Sequence, residues 1–168
     1  QLIEGILKAA HKTEPQFQKV NPNELLDELE ALTQEKARLS NVQIKKEKQL
    51  SLESIFVDKE SVIAALKEII MYAVEASPKN GEVLMKIHQE EEWVVISVTD
   101  QGKGMDERTL SRIYEPLFST KKLSAGLGLS FAKELIEAQN GYIRCQSRTG
   151  EGSTFKVYFS VSKKNKKG

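Results

Sequence analysis

The sequence predicts an α+β fold, a two-layer α/β sandwich in which helices cover one face of a β-sheet. Several segments repeat apolar residues at helical spacing, and two pairs of segments have strand character and are joined by short turns. Helices and antiparallel strand pairs interleave along the chain. The helical segments are 23–40, 59–76 and 127–139, and the strand pairs are 82–89 with 92–99 and 141–147 with 153–161.

The segment 59–76 gives the strongest helix signal. Asp58 can cap its first turn, because a carboxylate accepts hydrogen bonds from the unpaired N–H groups there. The apolar residues that recur along one face are Val62, Ile63, Leu66, Ile69, Ile70, Ala73 and Val74. The first helical segment is expected to be capped at Asn21 or Asn23.

Turn residues separate the elements. Pro, Lys, Asn and Gly at 78–81 predict a turn, an acidic turn at 90–92 joins the first strand pair, and Asn140 with Gly141 ends the last helix. Shorter strands are expected near 42–49 and 54–57, and helical character near 106–113.

The chain is expected to divide into four parts. Residues 1–12 fit the end of a longer helix, and prolines punctuate a linker at 13–22. Residues 23–162 form the folded domain, and 163–168 is a basic tail.

Composition excludes some classes of function. Lys and Arg number 25 and Asp and Glu 24, so the net charge of +1 gives no drive toward nucleic acid or a membrane surface. The single cysteine, Cys145, excludes an intrachain disulfide and fits a cytoplasmic setting for this domain. It lies in an alternating stretch and is expected to pack in a strand. Gln1 indicates a fragment, so any membrane anchor would lie outside it.

Three glycine-bearing segments suggest a nucleotide site. Residues 100–105 follow an apolar strand, 124–129 precede a helix, and 150–155 lie between two strands. A glycine loop that opens a helix presents N–H groups to an anion such as phosphate. Asp100, at the end of a strand, can accept a hydrogen bond from an exocyclic amine such as that of adenine. Each segment alone also fits an ordinary turn; their joint order is more specific.

In that order the segments resemble the ATP-binding catalytic domain of sensor histidine kinases. More distantly, the chain is similar to the gyrase, heat-shock chaperone and MutL ATPases of the Bergerat fold, the GHKL superfamily. Residues 100–104 resemble the D-x-G-x-G box, 114–121 the phenylalanine box, 126–129 the second glycine box, and 152–155 the start of the final strand. The resemblance covers about residues 54–161.

This resemblance implies ATP or ADP bound under a mobile lid formed by 117–125. Asp100 would bind the adenine amine, and Thr154 would lie near both. Lys121 would reach the phosphates, although a solvated loop lysine is an equal alternative. The other nucleotide-binding residues implied are Gly102, Gly104, which gives the base room, and Gly126, Leu127 and Gly128, which offer backbone N–H groups.

One box of the family departs from its pattern. The stretch 68–73 aligns with the helix that carries the family's general base and magnesium-binding Asn. Glu68 matches the acidic form of the base, and a surface helix position is the alternative interpretation. Tyr72 replaces the Asn that binds Mg²⁺ in the family, and a neutral phenol is a poor ligand for this cation. The sequence therefore predicts nucleotide binding that depends little on Mg²⁺, and phosphotransfer that is slow or absent.

The acceptor histidine is expected elsewhere. Neither His11, at a helix end, nor His88, in a strand, matches the family's acceptor. The resemblance implies a histidine-bearing helical hairpin outside this fragment, a response regulator receiver domain as partner in a two-component phosphorelay, and a homodimeric full-length protein.

Two functions remain open at this point. The first is a histidine protein kinase module that transfers the ATP γ-phosphoryl group to a histidine on a separate helix. The second is a degenerate kinase-like domain, a pseudokinase, that acts through protein contacts and binds nucleotide weakly. A gyrase-like or chaperone-like ATPase fits less well, because 1–40 resemble a kinase hairpin end and linker.

Overall fold

The computed structural model describes residues 14–118 and 128–161. Its main feature is a five-stranded sheet packed against helices, which confirms the predicted α+β sandwich. In chain order the elements are β1 (Phe17–Val20), α1 (Pro22–Leu39), β2 (Gln43–Glu47), β3 (Ile55–Asp58), α2 (Lys59–Ala76), β4 (Glu82–Glu90), β5 (Trp93–Asp100), α3 (Glu107–Leu110), α4 (Gly128–Ala138), β6 (Tyr142–Ser147) and β7 (Ser153–Ser160).

The large sheet is mixed. Its strand order is β2-β4-β5-β7-β6, with β2 parallel to β4 and the other neighbouring pairs antiparallel. The two predicted strand pairs form β4–β5 and β6–β7, and β5 pairs with β7 between them. This central pairing brings the end of β5 beside the start of β7, so that two of the three glycine segments meet.

A second, two-stranded sheet differs from the sequence prediction. β1 pairs antiparallel with β3, although the sequence predicts a linker over 13–22. In β1 only Val20 is buried, so the strand lacks the apolar alternation that would have revealed it. Pro22 belongs to the first turn of α1, where proline costs no hydrogen bond. The predicted helix end at 1–12 and basic tail at 163–168 lie outside the described residues.

The helices begin where their capping residues predict. The Asp58 carboxylate accepts a hydrogen bond from the Ser61 N–H at 3.1 Å and caps α2. Asn21 caps α1 by accepting from the Asn23 N–H at 3.0 Å. The helical character expected near 106–113 is shorter than predicted, because α3 covers only Glu107–Leu110 before turns follow.

The two faces of the sheet have different environments. Alternate residues of β7 are buried under the helices, and their neighbours in sequence face the other side. On that outer face Tyr142 and Tyr158 stack at 4.3 Å between ring centroids. The residues of β5 and β7 that belong to the hydrophobic core under the helices are Val94, Ile96, Val98, Phe155, Val157 and Phe159.

Cys145 and His88 lie in strands, as predicted. Cys145 is half-buried on β6, and burial raises the pKa of its thiol to about 12, so it stays protonated at neutral pH. His88 lies on β4 and pairs with Glu90 at 2.7 Å. Among the described residues, none of the helices has the length and apolar character needed to cross a membrane.

Candidate nucleotide site

Asp100 forms the centre of the candidate site. It is the last residue of β5, and the strand's two-residue period places it on the helix-covered face with Val98. Its side chain is only 2% exposed, which is rare for a carboxylate. One carboxylate oxygen, Oδ1, accepts a hydrogen bond from the Gly102 N–H at 2.8 Å. The glycine loop therefore holds this carboxylate at a fixed position at the end of the sheet.

Gly104 and Gly152 allow the loops around Asp100 to pack closely. Gly104 has a φ of +68°, and a Cβ there would overlap the backbone carbonyl oxygen of Arg148. Gly152 has a φ of +71°, and a Cβ there would overlap the carbonyl oxygen of Asp100. The sequence assigns Gly104 to making room for the base. In the structure, the absence of a side chain at Gly104 allows the backbone of the turn between β6 and β7 to pack against it.

The structure places Thr154 on the other face of the sheet from Asp100. Its hydroxyl lies 3.0 Å from that of Thr99, which is the residue opposite it in β5. Ser153 is the residue paired with Asp100, and it is buried on the same face. The expectation that Thr154 lies near Asp100 therefore needs correction: Ser153 lies beside Asp100 instead, because side chains alternate between the faces of a strand.

Ser153 belongs to a small hydroxyl network beside Asp100. The Ser147 hydroxyl lies 2.8 Å from the Ser153 hydroxyl and accepts a hydrogen bond from the Met105 N–H at 2.8 Å. A cavity of about 490 Å³, within the range of small-molecule sites, opens at these serines. The residues that line it are Leu110, Cys145, Gln146, Ser147, Arg148, Glu151, Gly152, Ser153 and Thr154.

Glu68 lies where α2 meets the first residue of α4. A Cβ built on Gly128 would be 2.7 Å from the Glu68 carboxylate oxygen Oε2. The side chain is half-buried, and burial raises the pKa of its carboxyl above the usual value, with Glu75 adding to the increase. This carboxylate is therefore held at a helix start and is more basic than an exposed glutamate.

Tyr72, one turn after Glu68 on α2, is directed toward the loop that follows Asp100. Its hydroxyl donates to the Met105 sulfur at 3.6 Å, and its ring meets the Phe155 ring edge-on at 5.5 Å. Burial raises the pKa of Tyr72 to about 12, with the Asp100 charge contributing, so the phenol is neutral at physiological pH.

Among the described residues, the side chain at the magnesium-ligand position that the sequence resemblance implies does not fit this ion. Mg²⁺ takes hard oxygen ligands in near-octahedral geometry. The side chain at the expected ligand position is a neutral phenol directed at a sulfur atom. Within 14–118 and 128–161, no group of three or more His, Cys, Asp or Glu side chains is arranged to hold a metal ion.

Some predicted site residues lie outside the described residues. These are Lys121, Gly126 and Leu127, together with most of the lid predicted at 117–125. At its start, the ring of Phe118 lies under the Arg112 guanidinium, 4.5 Å from the ring centroid.

A helical layer on this mixed sheet, with a buried carboxylate at a glycine loop, defines a nucleotide-binding domain. The chain belongs to the family described as "Histidine kinase-, DNA gyrase B-, and HSP90-like ATPase", which matches residues 57–163.

Among curated proteins, the chain is 34% identical over 136 residues to Sporulation kinase C of Bacillus subtilis, covering 80% of this chain and 32% of that protein. It is 30% identical over 162 residues to the signal transduction histidine-protein kinase AtoS of Escherichia coli, covering 96% of this chain and 27% of that protein. The chain thus spans about a third or less of these relatives.

Solved structures of histidine kinases are similar in fold. Full-length ShkA in complex with AMPPNP has a TM-score of 0.80 at 25% identity, covering 89% of this chain and 32% of that one. The catalytic domain of the histidine kinase ThkA has a TM-score of 0.78 at 28% identity, covering 87% of this chain and 96% of that one. These relatives favour the kinase hypothesis over the degenerate alternative.

Proposed function

We propose that this chain is the ATP-binding catalytic part of a longer sensor histidine kinase. The observation that carries the proposal is the buried Asp100 carboxylate at the end of β5, held by the Gly102 N–H and flanked by Ser153. A carboxylate accepts hydrogen bonds strongly from an amine, and the neighbouring hydroxyl can donate or accept. This pair fits the amine-bearing edge of adenine.

The phosphates are proposed to extend from this end toward the start of α4. Unpaired N–H groups at a helix start favour anions, and Gly128 is the first residue of α4. Glu68 lies against that residue and is proposed to act as the general base toward the group that receives the phosphoryl.

The phosphoryl acceptor and the regulatory partners belong to the proposal for the full-length protein. We propose a histidine on a helical hairpin outside this chain, in a homodimer, and a response regulator receiver domain as the next acceptor. One solved relative, ThkA, was crystallised in complex with the response regulator TrrA, at a TM-score of 0.77 and 25% identity to this chain.

The substitution Asp100→Asn tests the nucleotide site. Replacing the carboxylate removes a charge-assisted hydrogen bond worth about 1.5–3 kcal/mol, so ADP affinity measured by calorimetry should fall by roughly tenfold to a hundredfold. Asp27→Asn, an exposed position on α1 that pairs with Lys46 and Lys48, is a matched control and should leave the affinity unchanged. Equal ADP affinity in Asp100→Asn and wild type would contradict the assignment.

A second prediction concerns the metal. In the wild type, ADP affinity should change by less than about threefold between buffers with Mg²⁺ and with EDTA, because the phenol of Tyr72 is a poor ligand. Tyr72→Asn supplies an amide oxygen, and the ratio of the two affinities should rise to about tenfold, or 1.4 kcal/mol. Tyr72→Ala is the control, since it removes the ring without supplying an oxygen. A wild type with strong Mg²⁺ dependence would refute this prediction.

A further inference from the structure

The Tyr72 side chain links three elements at the base-binding end of the proposed site. It projects from α2, its ring contacts Phe155 of β7, and its hydroxyl reaches Met105 in the loop after β5. Phe155 is fully buried and Met105 is 7% exposed, so this phenol rests on the core. Tyr72 itself is half-buried, with one part of the side chain in contact with the core and another open to solvent.

The contacts of Tyr72 lie around Asp100. The Met105 N–H donates a hydrogen bond to the Ser147 hydroxyl. That hydroxyl lies beside the hydroxyl of Ser153, which is the residue paired with Asp100 in the sheet. Phe155 shares the inner face of β7 with Ser153. Tyr72 therefore connects the helix layer with β7 and with the loop that follows Asp100. A planar base that hydrogen-bonds to Asp100 would have to enter the space between these elements.

We propose that Tyr72 is an internal occupant of the base-binding pocket and thereby determines the affinity of the site for adenine compounds. The phenol covers the approach to Asp100, and the base binds after the side chain turns away from Met105 and Phe155. This inference rests on the proposed function, in which Asp100 recognises the base. It assigns to Tyr72 a role at the base, separate from any loss of a metal ligand.

The contacts of Tyr72 with Met105 and Phe155 are individually small. An O–H···S bond and an edge-to-face aromatic pair each contribute little compared with the burial of a whole base. The base binds only those molecules in which the pocket is open. The apparent affinity for the base therefore equals the intrinsic affinity multiplied by the open fraction. We expect an open fraction near one tenth, so that freeing the pocket tightens binding about tenfold.

The test compares adenosine with ADP in buffer containing EDTA. Calorimetry is performed on wild type, Tyr72→Phe, Tyr72→Ala and Met105→Leu, with Asp100→Asn as the reference for the site itself. Tyr72→Ala should bind both ligands about tenfold more tightly, because both carry the base. Tyr72→Phe and Met105→Leu, which both remove the hydroxyl-to-sulfur bond, should tighten the binding of both ligands by about twofold. Tyr158→Ala, a tyrosine on the outer face of the same sheet, should change neither affinity.

Each other outcome overturns the proposal. A gain for ADP alone would place the phenol at the phosphates. Weaker binding of both ligands by Tyr72→Ala would show that the Tyr72 ring stacks on the bound base. Unchanged affinities would show that Tyr72 plays no part in binding the base. Circular dichroism verifies folding, and if Tyr72→Ala does not fold, Tyr72→Phe and Met105→Leu decide alone. If no variant binds adenosine or ADP, and Asp100→Asn makes no difference, the proposed function itself fails.

Discussion

Gly104→Ala should destabilise the domain by about 2–5 kcal/mol, because two costs combine at this position. The φ of +68° is unfavourable for any residue with a Cβ, at roughly 1–2 kcal/mol. The added Cβ would also overlap the carbonyl oxygen of Arg148, a backbone atom that cannot move aside without shifting the turn between β6 and β7. ADP binding should weaken as well, because the loop that carries Gly104 also carries the Gly102 N–H bound to Asp100.

Gly150→Ala separates these two costs. Gly150 has a φ of +86°, but a Cβ there would meet nothing within 4 Å. This variant should therefore lose only the roughly 1–2 kcal/mol that comes from the backbone conformation. Denaturant unfolding of both variants and wild type measures the difference. If Gly104→Ala and Gly150→Ala are equally stable, the close contact with Arg148 does not contribute.

The long elements of the fold could be predicted because their patterns repeat. In α2, apolar residues recur at helical spacing from Val62 to Val74, and Asp58 marks the start of the helix. β4 and β5 form continuous apolar or alternating runs on both sides of an acidic turn. β1 could not be recognised in this way, since a four-residue strand with three exposed positions carries no period. Its existence depends on pairing with β3, which is a tertiary contact.

The candidate site could be predicted in its residue types but not in its packing. Asp100 follows a strand that the sequence reveals, and in the structure it is the buried last residue of β5. The face of Thr154 could have been deduced, because Phe155, Val157 and Phe159 are the apolar members of an alternating strand and Ser153 shares their period. The close approach of Gly104 to Arg148 could not have been deduced from the sequence, because it joins two loops that are distant along the chain.

Tyr72 shows the limit of reasoning from one substitution. The sequence shows that a phenol replaces a short amide, and this predicts the loss of a metal ligand. Only the structure shows where the side chain goes, with its ring against Phe155 and its hydroxyl against the Met105 sulfur. The direction of a side chain on a helix depends on the partners that surround it, and these come from β7 and from the loop after β5.

Glu68→Gln should reduce the rate of histidine phosphorylation in the full-length protein by about a hundredfold or more, which is the usual contribution of a positioned general base. The glutamine keeps the size of the side chain and its place beside Gly128, but it cannot accept a proton. ADP affinity should change by less than about twofold, since the proposed base contacts the acceptor and not the adenine. Phosphorylation is measured by transfer of labelled phosphate from ATP.

The pH dependence gives this prediction a second measurement. Burial raises the pKa of the Glu68 carboxyl, and only the deprotonated form can act as a base. The wild-type rate should therefore rise as the pH increases through that raised pKa, and the same rise should be missing in Glu68→Gln. Glu60→Gln, an exposed position in the first turn of the same helix, is the matched control and should keep the wild-type profile. A Glu68→Gln protein that phosphorylates at the wild-type rate would show that Glu68 serves only the contact between α2 and α4.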